Sequence, residues 1–399
     1  MGTFKIVDGI HAVGVMNPSL RIFDIIMKSD YGTSYNAYIV KGSEKTALIE
    51  TVHTKFFDEY IENIKAISPD LKIDYVILNH TEPDHSGSLK KLLSEVKGAT
   101  VITSQAGSIF LKNIVNSEFP VIVVKDNDEI DLGGKTLKFI NAPFLHWPDS
   151  MFTYAKEDNV LFPCDFLGCH YCEPRYLDKF IMYPEKYNEE FEYYHKAIFG
   201  PFKDYVLSGL EKIKDISPEY ICPSHGPILT KQNIASAKEK YYKWSQPHKN
   251  AVKTICIFYA SAYGCTKSLA EKVSEGIKSV ISDAKIDLFD LNFCTAAEAA
   301  ESLQACDAFA VGSPTINRDA VYPVWALLSS IDAIGNKGKP CMCFGSYGWS
   351  GEAVPMLNER LKGLKLGVFG EGIKACLIPS ESELEKAAQY GADFANSIE

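Results

Sequence analysis

At 399 residues the chain has material for about two to three domains of ordinary size, each able to bury its own core. A net charge of −10, from 41 basic and 51 acidic residues with no basic stripe, argues against nucleic acid as a partner. Apolar residues at 46% and charged residues at 23% exclude wholesale disorder. The eleven cysteines are an odd set scattered through apolar surroundings such as Cys256, Cys306, Cys341 and Cys343, which reads as free thiols in a reducing compartment. Met1 to Ile10 has no signal-peptide form, and no run of about 18 apolar residues occurs. The expectation is a cytoplasmic protein with no membrane segment.

Short strand-like runs dominate the first part of the chain: Tyr35 to Val40, Lys45 to Glu50, Tyr75 to Asn79, Val121 to Lys125, Thr136 to Asn141 and Met151 to Ala155. Helical periodicity is predicted at about Lys55 to Ala66, Gly87 to Val96 and Glu189 to Lys214. Clustered strands with intervening helices predict layered sheets covered by helices. Gln246, Pro247, His248, Lys249 and Asn250 then break the pattern, placing a linker near Ser245 to Val252 and domains at 1–248 and 249–399. Beyond it, strands Thr254 to Tyr259, Lys285 to Asp290, Ala308 to Gly312 and Pro340 to Phe344 alternate with helices Thr266 to Val280, Ala296 to Leu303, Tyr322 to Asp332 and Gly351 to Leu361. That alternation predicts a doubly wound parallel sheet, with ligands at the carboxyl ends of its strands.

The run Tyr75 to Asn79 leads directly into His80, Thr81, Glu82, Pro83, Asp84 and His85, four metal-competent side chains within six residues at a strand end. Alternate positions aim His80 and Glu82 at one point, while Pro83 redirects the chain so that Asp84 and His85 face another. His146, Asp165 and His225 each follow a strand-like run, at Ala142 to Leu145, Val160 to Cys164 and Tyr220 to Cys222. Four histidines and three carboxylates suit two metals sharing one carboxylate, with Asp165 as the natural bridge. The spacing of Cys169 and Cys172 is that of a zinc or thiol motif, but no second such pair completes it; these two, like Cys341 and Cys343, read as ordinary core or loop cysteines.

This order of ligands resembles the metallo-β-lactamase-like domain. Its zinc hydrolases usually carry histidine where this chain has Glu82, and carboxylate in place of imidazole hardens the site toward iron and redox chemistry.

In the second domain Ser261, Ala262, Tyr263, Gly264, Cys265 and Thr266 lie between a strand and a helix, where small residues and a helix amino terminus suit a phosphate. Neither a three-glycine dinucleotide fingerprint nor a Gly-Lys-Ser/Thr end is present, which favours a mononucleotide. Gly312, Ser313, Pro314, Thr315, Ile316 and Asn317 follow the third strand, and Gly345, Ser346, Tyr347, Gly348, Trp349, Ser350 and Gly351 follow the fourth. Tyr347 and Trp349 suit coverage of a planar ring. The pattern resembles flavodoxin, with flavin mononucleotide (FMN) as ligand.

A metallo-β-lactamase-like αββα sandwich followed by a flavodoxin-like sheet resembles the flavodiiron proteins over essentially the whole chain. The resemblance implies reduction of dioxygen to water, or of nitric oxide to nitrous oxide, at a non-haem pair of iron ions fed by FMN. It implies His80, Glu82 and His146 on one iron, Asp84, His85 and His225 on the other, and Asp165 between them. It also implies a head-to-tail homodimer, or a dimer of dimers, and a separate electron donor such as rubredoxin, a reduced deazaflavin or a flavin reductase, since no cysteine-pair module follows the second domain. His170 and Tyr194 are candidate proton donors near the metals, with simple packing the competing role. The alternatives are a zinc-dependent hydrolase with a flavin-binding appendage, against which Glu82 stands, and an electron carrier that uses the second domain alone.

Overall fold

Strand Tyr75–Leu78 shows how the first part of the chain is layered: its side chains alternate between two buried faces, so the run is apolar throughout. Ile77 packs with Phe139, Met151 and Phe162 of a second sheet, while Val76 and Leu78 join Tyr60, Ile64, Leu92 and Leu111 of covering helices. The computed structural model describes residues 2–247 and 249–398, and contacts divide the chain into two units, Met1–Gln246 and Pro247–Glu399. His248, the last residue of the expected first domain, lies outside the described residues.

The first unit holds a seven-stranded sheet, in the order Phe4–Val7, Ile10–Ala12, Tyr38–Lys41, Thr46–Ile49, Tyr75–Leu78, Thr100–Thr103 and Val121–Val123. It faces a six-stranded sheet of Glu129–Asp131, Thr136–Asn141, Met151–Ala155, Val160–Phe162, Tyr220–Ile221 and Leu229–Thr230. Helices cover the outer faces, completing the αββα sandwich. Asn79 joins the sheets where the ligand-bearing turns leave them: its amide donates to the Phe162 carbonyl at 3.2 Å and its side-chain oxygen accepts from Thr153 at 2.7 Å.

Several predicted elements are interrupted for identifiable reasons. The run Tyr35 to Val40 splits into Thr33–Tyr35 and Tyr38–Lys41, because Asn36 turns to bond the carbonyls of Pro223 and Gly226. The long helix expected over Glu189 to Lys214 begins earlier, as Pro184–Tyr194, passes through a wide turn at His195–Phe199, breaks at Gly200–Phe202 where Pro201 lacks an amide proton, and resumes as Lys203–Lys212. Ala142 to Leu145 is a turn rather than a strand, with Phe144 at a φ of 64°.

In the second unit the sheet order is Lys285–Asp290, Thr254–Tyr259, Ala308–Ile316, Pro340–Tyr347, with Gly367–Val368 and Ile373–Cys376 both pairing with the last of these. The ladders joining these strands are parallel, and the reversal of winding at the first strand is that of a flavodoxin-like sheet. Helices Cys265–Val280 and Glu381–Ile398 pack on one face so closely that a Cβ on Gly276 would stand 1.8 Å from the Ala388 carbonyl oxygen. Ala296–Ala305, Tyr322–Ser329 and Ala353–Gly363 cover the other face. The third and fourth strands run further than predicted. Ser313 to Ile316 and Ser346 to Tyr347 are ladder residues, because Ser313 pairs with Gly345, Pro314 with Ser346 and Thr315 with Tyr347.

Candidate metal centre and flavin site

His80 leaves strand Tyr75–Leu78 directly, and Glu82 caps the single turn Pro83–Ser86, whose first helical residue is proline. That turn carries Asp84 and His85 inward beneath the strand end. His146 stands on the turn between strands Thr136–Asn141 and Met151–Ala155, Asp165 follows Val160–Phe162, and His225 follows Tyr220–Ile221. These segments leave strands of the two facing sheets, so residues distant in sequence converge.

The structure brings all seven candidate ligands together. His80, Glu82, His146 and Asp165 offer donor atoms within 4.8 Å of one another, as do Asp84, His85 and His225. Glu82 Oε2 is 3.2 Å from the Nε2 of both His80 and His146. Asp84 is 3.3 Å from His85 Nε2 through one oxygen and 3.0 Å from His225 Nε2 through the other. Asp165 lies between the sets: Oδ2 faces His80 and His146 at 3.6 and 3.5 Å, and Oδ1 faces His85 and His225 at 3.2 and 3.4 Å.

Both oxygens of Asp84, both of Asp165 and Nε2 of His85 are buried without a hydrogen-bond partner. Orphaned buried acceptors are costly, and cations placed between these sets would satisfy them. Burial opposes ionisation of Asp165, yet His85 and the neighbouring histidines hold its pKa well below the ordinary carboxylate range. The donor set therefore fits two cations with a shared carboxylate.

The imidazoles are fixed from behind. His80 Nδ1 is 3.1 Å from Asp149 Oδ2, which also accepts from the Thr81 amide at 2.7 Å and hydroxyl at 2.8 Å. His225 Nδ1 faces the Ser34 carbonyl at 2.7 Å and the Thr33 hydroxyl at 3.3 Å. Behind His85 stands the Cys164 sulfur, 3.9 Å from Nδ1. Burial pushes that thiol well above its ordinary pKa. Glu50 completes this group of donors, its carboxyl pushed up to about 8 by burial. None of Asp149, Thr33, Ser34, Cys164 or Glu50 was expected from the sequence, since no spacing connects them with the ligands they support.

His170 and Tyr194 both flank the centre. The His170 ring lies 4.8 Å from that of His225 and 4.9 Å from that of Tyr194, with Nδ1 2.8 Å from the Thr33 hydroxyl. Burial, and then the charge of His225, hold His170 well below the ordinary histidine pKa. Phe23, on the hairpin of Ile22–Phe23 and Met27–Lys28, covers His170 with ring centroids 4.2 Å apart. Among the described residues, neither Cys169 nor Cys172 belongs to a group of three ligating side chains.

At the carboxyl ends of the second unit's strands is a cavity of about 360 Å³. Of the candidate flavin residues, Ala262, Tyr263, Cys265, Pro314, Thr315, Ile316, Asn317, Ser346, Tyr347, Gly348 and Trp349 line it, joined by Leu377, which sequence reasoning missed. The remaining candidates are not part of this lining. Ser313 is fully buried, accepting from the Val321 amide, and the Thr266 hydroxyl meets that of Ser346 at 2.8 Å. Ser261 receives the Lys267 amide, and Ser350 is half-buried after the fourth strand. Gly351 accepts the Lys374 ammonium through its carbonyl. Gly264, at a φ of 85°, begins helix Cys265–Val280 with no side-chain cap, which leaves that amino terminus suited to an anion. Tyr263 and Trp349 are 94% and 82% exposed, aromatic surface available to a planar ring.

Residues 33–226 match the family described as ODP family beta lactamase, and residues 257–391 match Flavodoxin. The chain is 53% identical over the full length of both sequences to a flavo-diiron protein of Clostridium acetobutylicum. The chain belongs to the flavodiiron protein family. This flavodiiron protein is also 32% identical, over 98% of both chains, to a nitric oxide reductase of Moorella thermoacetica. Among solved structures, it matches rubredoxin oxygen:oxidoreductase of Desulfovibrio gigas at 28% identity and a TM-score of 0.72, covering 99% of this chain and 98% of that one. The flavodiiron protein of Giardia intestinalis matches at 30% identity and a TM-score of 0.70, covering 99% and 96%.

Proposed function

We propose that this flavodiiron protein is an oxidoreductase that reduces dioxygen to water, nitric oxide to nitrous oxide, or both, at two iron ions held in the first unit, with electrons passing through FMN held in the second. The observation that carries the reading is Asp165, which turns one oxygen toward each set of ligands. His80, Glu82 and His146 would hold one iron, and Asp84, His85 and His225 the other. When bound, the iron pair and reduced flavin supply the four electrons that dioxygen requires, or the two required by a pair of nitric oxide molecules.

The chain's own part is to bind, orient and exclude water. Glu82, Asp84 and Asp165 offset positive charge that would otherwise be buried uncompensated. Asp149 and the Ser34 carbonyl keep Nε2 of His80 and His225 turned to the centre. Phe23 covers the His170 side with apolar surface. In the other unit the cavity beside Gly264 would seat the FMN phosphate, with Tyr263, Tyr347 and Trp349 along the ring. Glu82 favours this reading over a zinc hydrolase, because a carboxylate there adds hard, anionic character.

Electrons would come from a separate donor: rubredoxin, a reduced deazaflavin or a flavin reductase. A head-to-tail homodimer, or a dimer of such dimers, would bring the flavin of one subunit near the metals of the other. Anaerobically reduced protein, mixed with dioxygen or nitric oxide and the same excess donor, should turn over with at least one gas and contain about two irons per chain. Two zinc ions with thioester hydrolysis would overturn the proposal. So would undiminished turnover in a Glu82→Ala, Asp165→Ala double variant that retains FMN.

A further inference from the structure

Away from the flavin cavity, the second unit contains a pair of thiols that the proposed reaction does not use. Cys256 lies near the start of strand Thr254–Tyr259, and Cys306 immediately follows helix Ala296–Ala305. The strand pairing sets Ile255 opposite Ala308, bringing these cysteines together although fifty residues separate them. Both side chains line one cavity at that end of the sheet. Each also approaches the last turn of the same helix: Cys256 Sγ is 3.7 Å from the Ser302 carbonyl oxygen, and Cys306 Sγ is 3.2 Å from that of Leu303.

Two features set this pair apart from Cys341 and Cys343 on the neighbouring strand. First, Cys256 and Cys306, although buried at 2% and 4% exposure, both line a cavity of about 350 Å³ whose walls include Val252, Thr254 and Lys285, whereas Cys341 and Cys343 have no exposed surface and do not line it. Second, Lys339 reaches the same helix end, donating to the carbonyls of Leu303 at 2.7 Å and Gln304 at 3.0 Å. The neighbouring Cys256 side chain, and after it the Lys339 ammonium, draw the Cys306 thiol below its ordinary pKa against the opposing effect of burial. Burial instead pushes Cys341 up to about 12. Thiolate character and access to solvent are the conditions for oxidation of a cysteine.

We propose that Cys256 and Cys306 are a modification site, a dithiol that hydrogen peroxide converts to a disulfide. Cys306, as thiolate, attacks one peroxide oxygen; a sulfur–oxygen bond forms, the oxygen–oxygen bond breaks, and hydroxide leaves and is protonated to water. Cys256 then attacks the sulfur of the resulting sulfenic acid; the disulfide forms, the sulfur–oxygen bond breaks, and a second water leaves. Two thiols lose two electrons, one peroxide gains them, and both thiol protons end in water. A small dithiol such as dithiothreitol reverses the change by exchange.

The test uses the full-length, FMN-loaded protein. It is exposed to a small excess of hydrogen peroxide, quenched in acid and alkylated in denaturant before tandem mass spectrometry. Cys256 and Cys306 should lose alkylation at the same rate and appear as one linked pair of peptides, with alkylation restored by dithiothreitol. Full alkylation of both after the exposed Cys376 has been oxidised would overturn the proposal. So would Cys306 advancing to sulfinic acid while Cys256 stays alkylated. In Cys256→Ser, dimedone should trap a sulfenic acid at Cys306, whereas in Cys306→Ser the Cys256 thiol should persist. If either variant fails to fold, the wild-type result alone decides.

Discussion

Replacing Asp149 by Asn isolates what a residue one layer behind the metals contributes to holding them. A single oxygen, Oδ2, accepts from the Thr81 amide, the Thr81 hydroxyl and His80 Nδ1, while Oδ1 is buried without a partner. Asparagine can keep its oxygen in the first position and place its NH2 group in the second, so the loop survives while the negative charge behind His80 is lost. Weakening such a carboxylate–histidine pair costs about tenfold to a hundredfold in metal affinity, or about 1.4–2.8 kcal/mol. The newly buried NH2 group adds a stability cost of about 1–3 kcal/mol, so the melting temperature is measured alongside. The assay is anaerobic competition for ferrous ion against a chromophoric chelator, with FMN content as control. One of the two binding constants should fall by about tenfold or more, while the other, set by Asp84, His85 and His225, stays within about threefold. If both constants remain within about twofold of the parent's, Asp149 does not tune His80 and the reasoning fails.

Two further perturbations probe different parts of the molecule. Trp349→Ala removes exposed aromatic surface from the flavin cavity; FMN affinity, followed by fluorescence quenching, should fall by roughly twofold to tenfold, the range expected for one aromatic contact. Iron content should not change, and unaltered FMN affinity would remove Trp349 from the ring site. His195 is buried against Tyr241 and Trp244 with Nε2 2.9 Å from the Ser245 hydroxyl, and burial lowers its pKa from 6.5 to about 4. The unfolded chain therefore takes up a proton near pH 6.5 that the folded one refuses until near pH 4. The stability present above that window is lost as pH falls through it, by at most about 3 kcal/mol. Denaturant titrations from pH 7.5 to 4.5 should show a shallower loss in His195→Gln than in the parent, and parallel slopes would refute the assignment.

The metal ligands are legible because four of them fall within the six residues His80 to His85, at the end of a strand and the turn that follows it. The two sheets are legible where both faces are buried and the run is wholly apolar, as at Tyr75–Leu78. Three helices are absent from the sequence reading. Gln105–Val115 buries Gly107 and Ser108 beside Leu111 and Val115. Glu381–Ile398 buries Ala387, Gly391 and Ala395 around a single Phe394. Lys231–Trp244 buries only Ile234, Ala237 and Tyr241 among many charges. The sequence reading assigns no element to any of these, although Gln105–Val115 and Glu381–Ile398 separate apolar from polar faces at least as clearly as the predicted Ala296–Ala305 and Tyr322–Ser329. The loops of the second unit were read too long because glycine, serine and proline are turn residues in composition. At Ser313 to Ile316 they nevertheless continue a ladder, because the neighbouring strand is available to pair.

What lies behind the ligands was illegible for a deeper reason, and it makes the two halves of the centre unequal. Imidazole basicity depends on the group that its outer nitrogen meets. His80 meets the Asp149 carboxylate, His225 a backbone carbonyl, and His85 only the Cys164 sulfur at 3.9 Å. Carboxylate, amide oxygen and neutral thiol form a descending series of acceptor strength. The seven ligands are nearly symmetric in kind, with two histidines and one carboxylate in each set around Asp165. Their supports are not symmetric: the set containing His80 is stiffened by a buried anion, and the set containing His85 rests partly on a soft, weak partner. A metal in the first set would be held by the more basic donors, and one in the second would have the freer imidazole. That difference arises from residues separated from their ligands by 69 positions for Asp149, 191 for Ser34 and 79 for Cys164. No spacing rule spans such intervals, because only the closure of the two sheets brings these residues to the outer face of each imidazole ring.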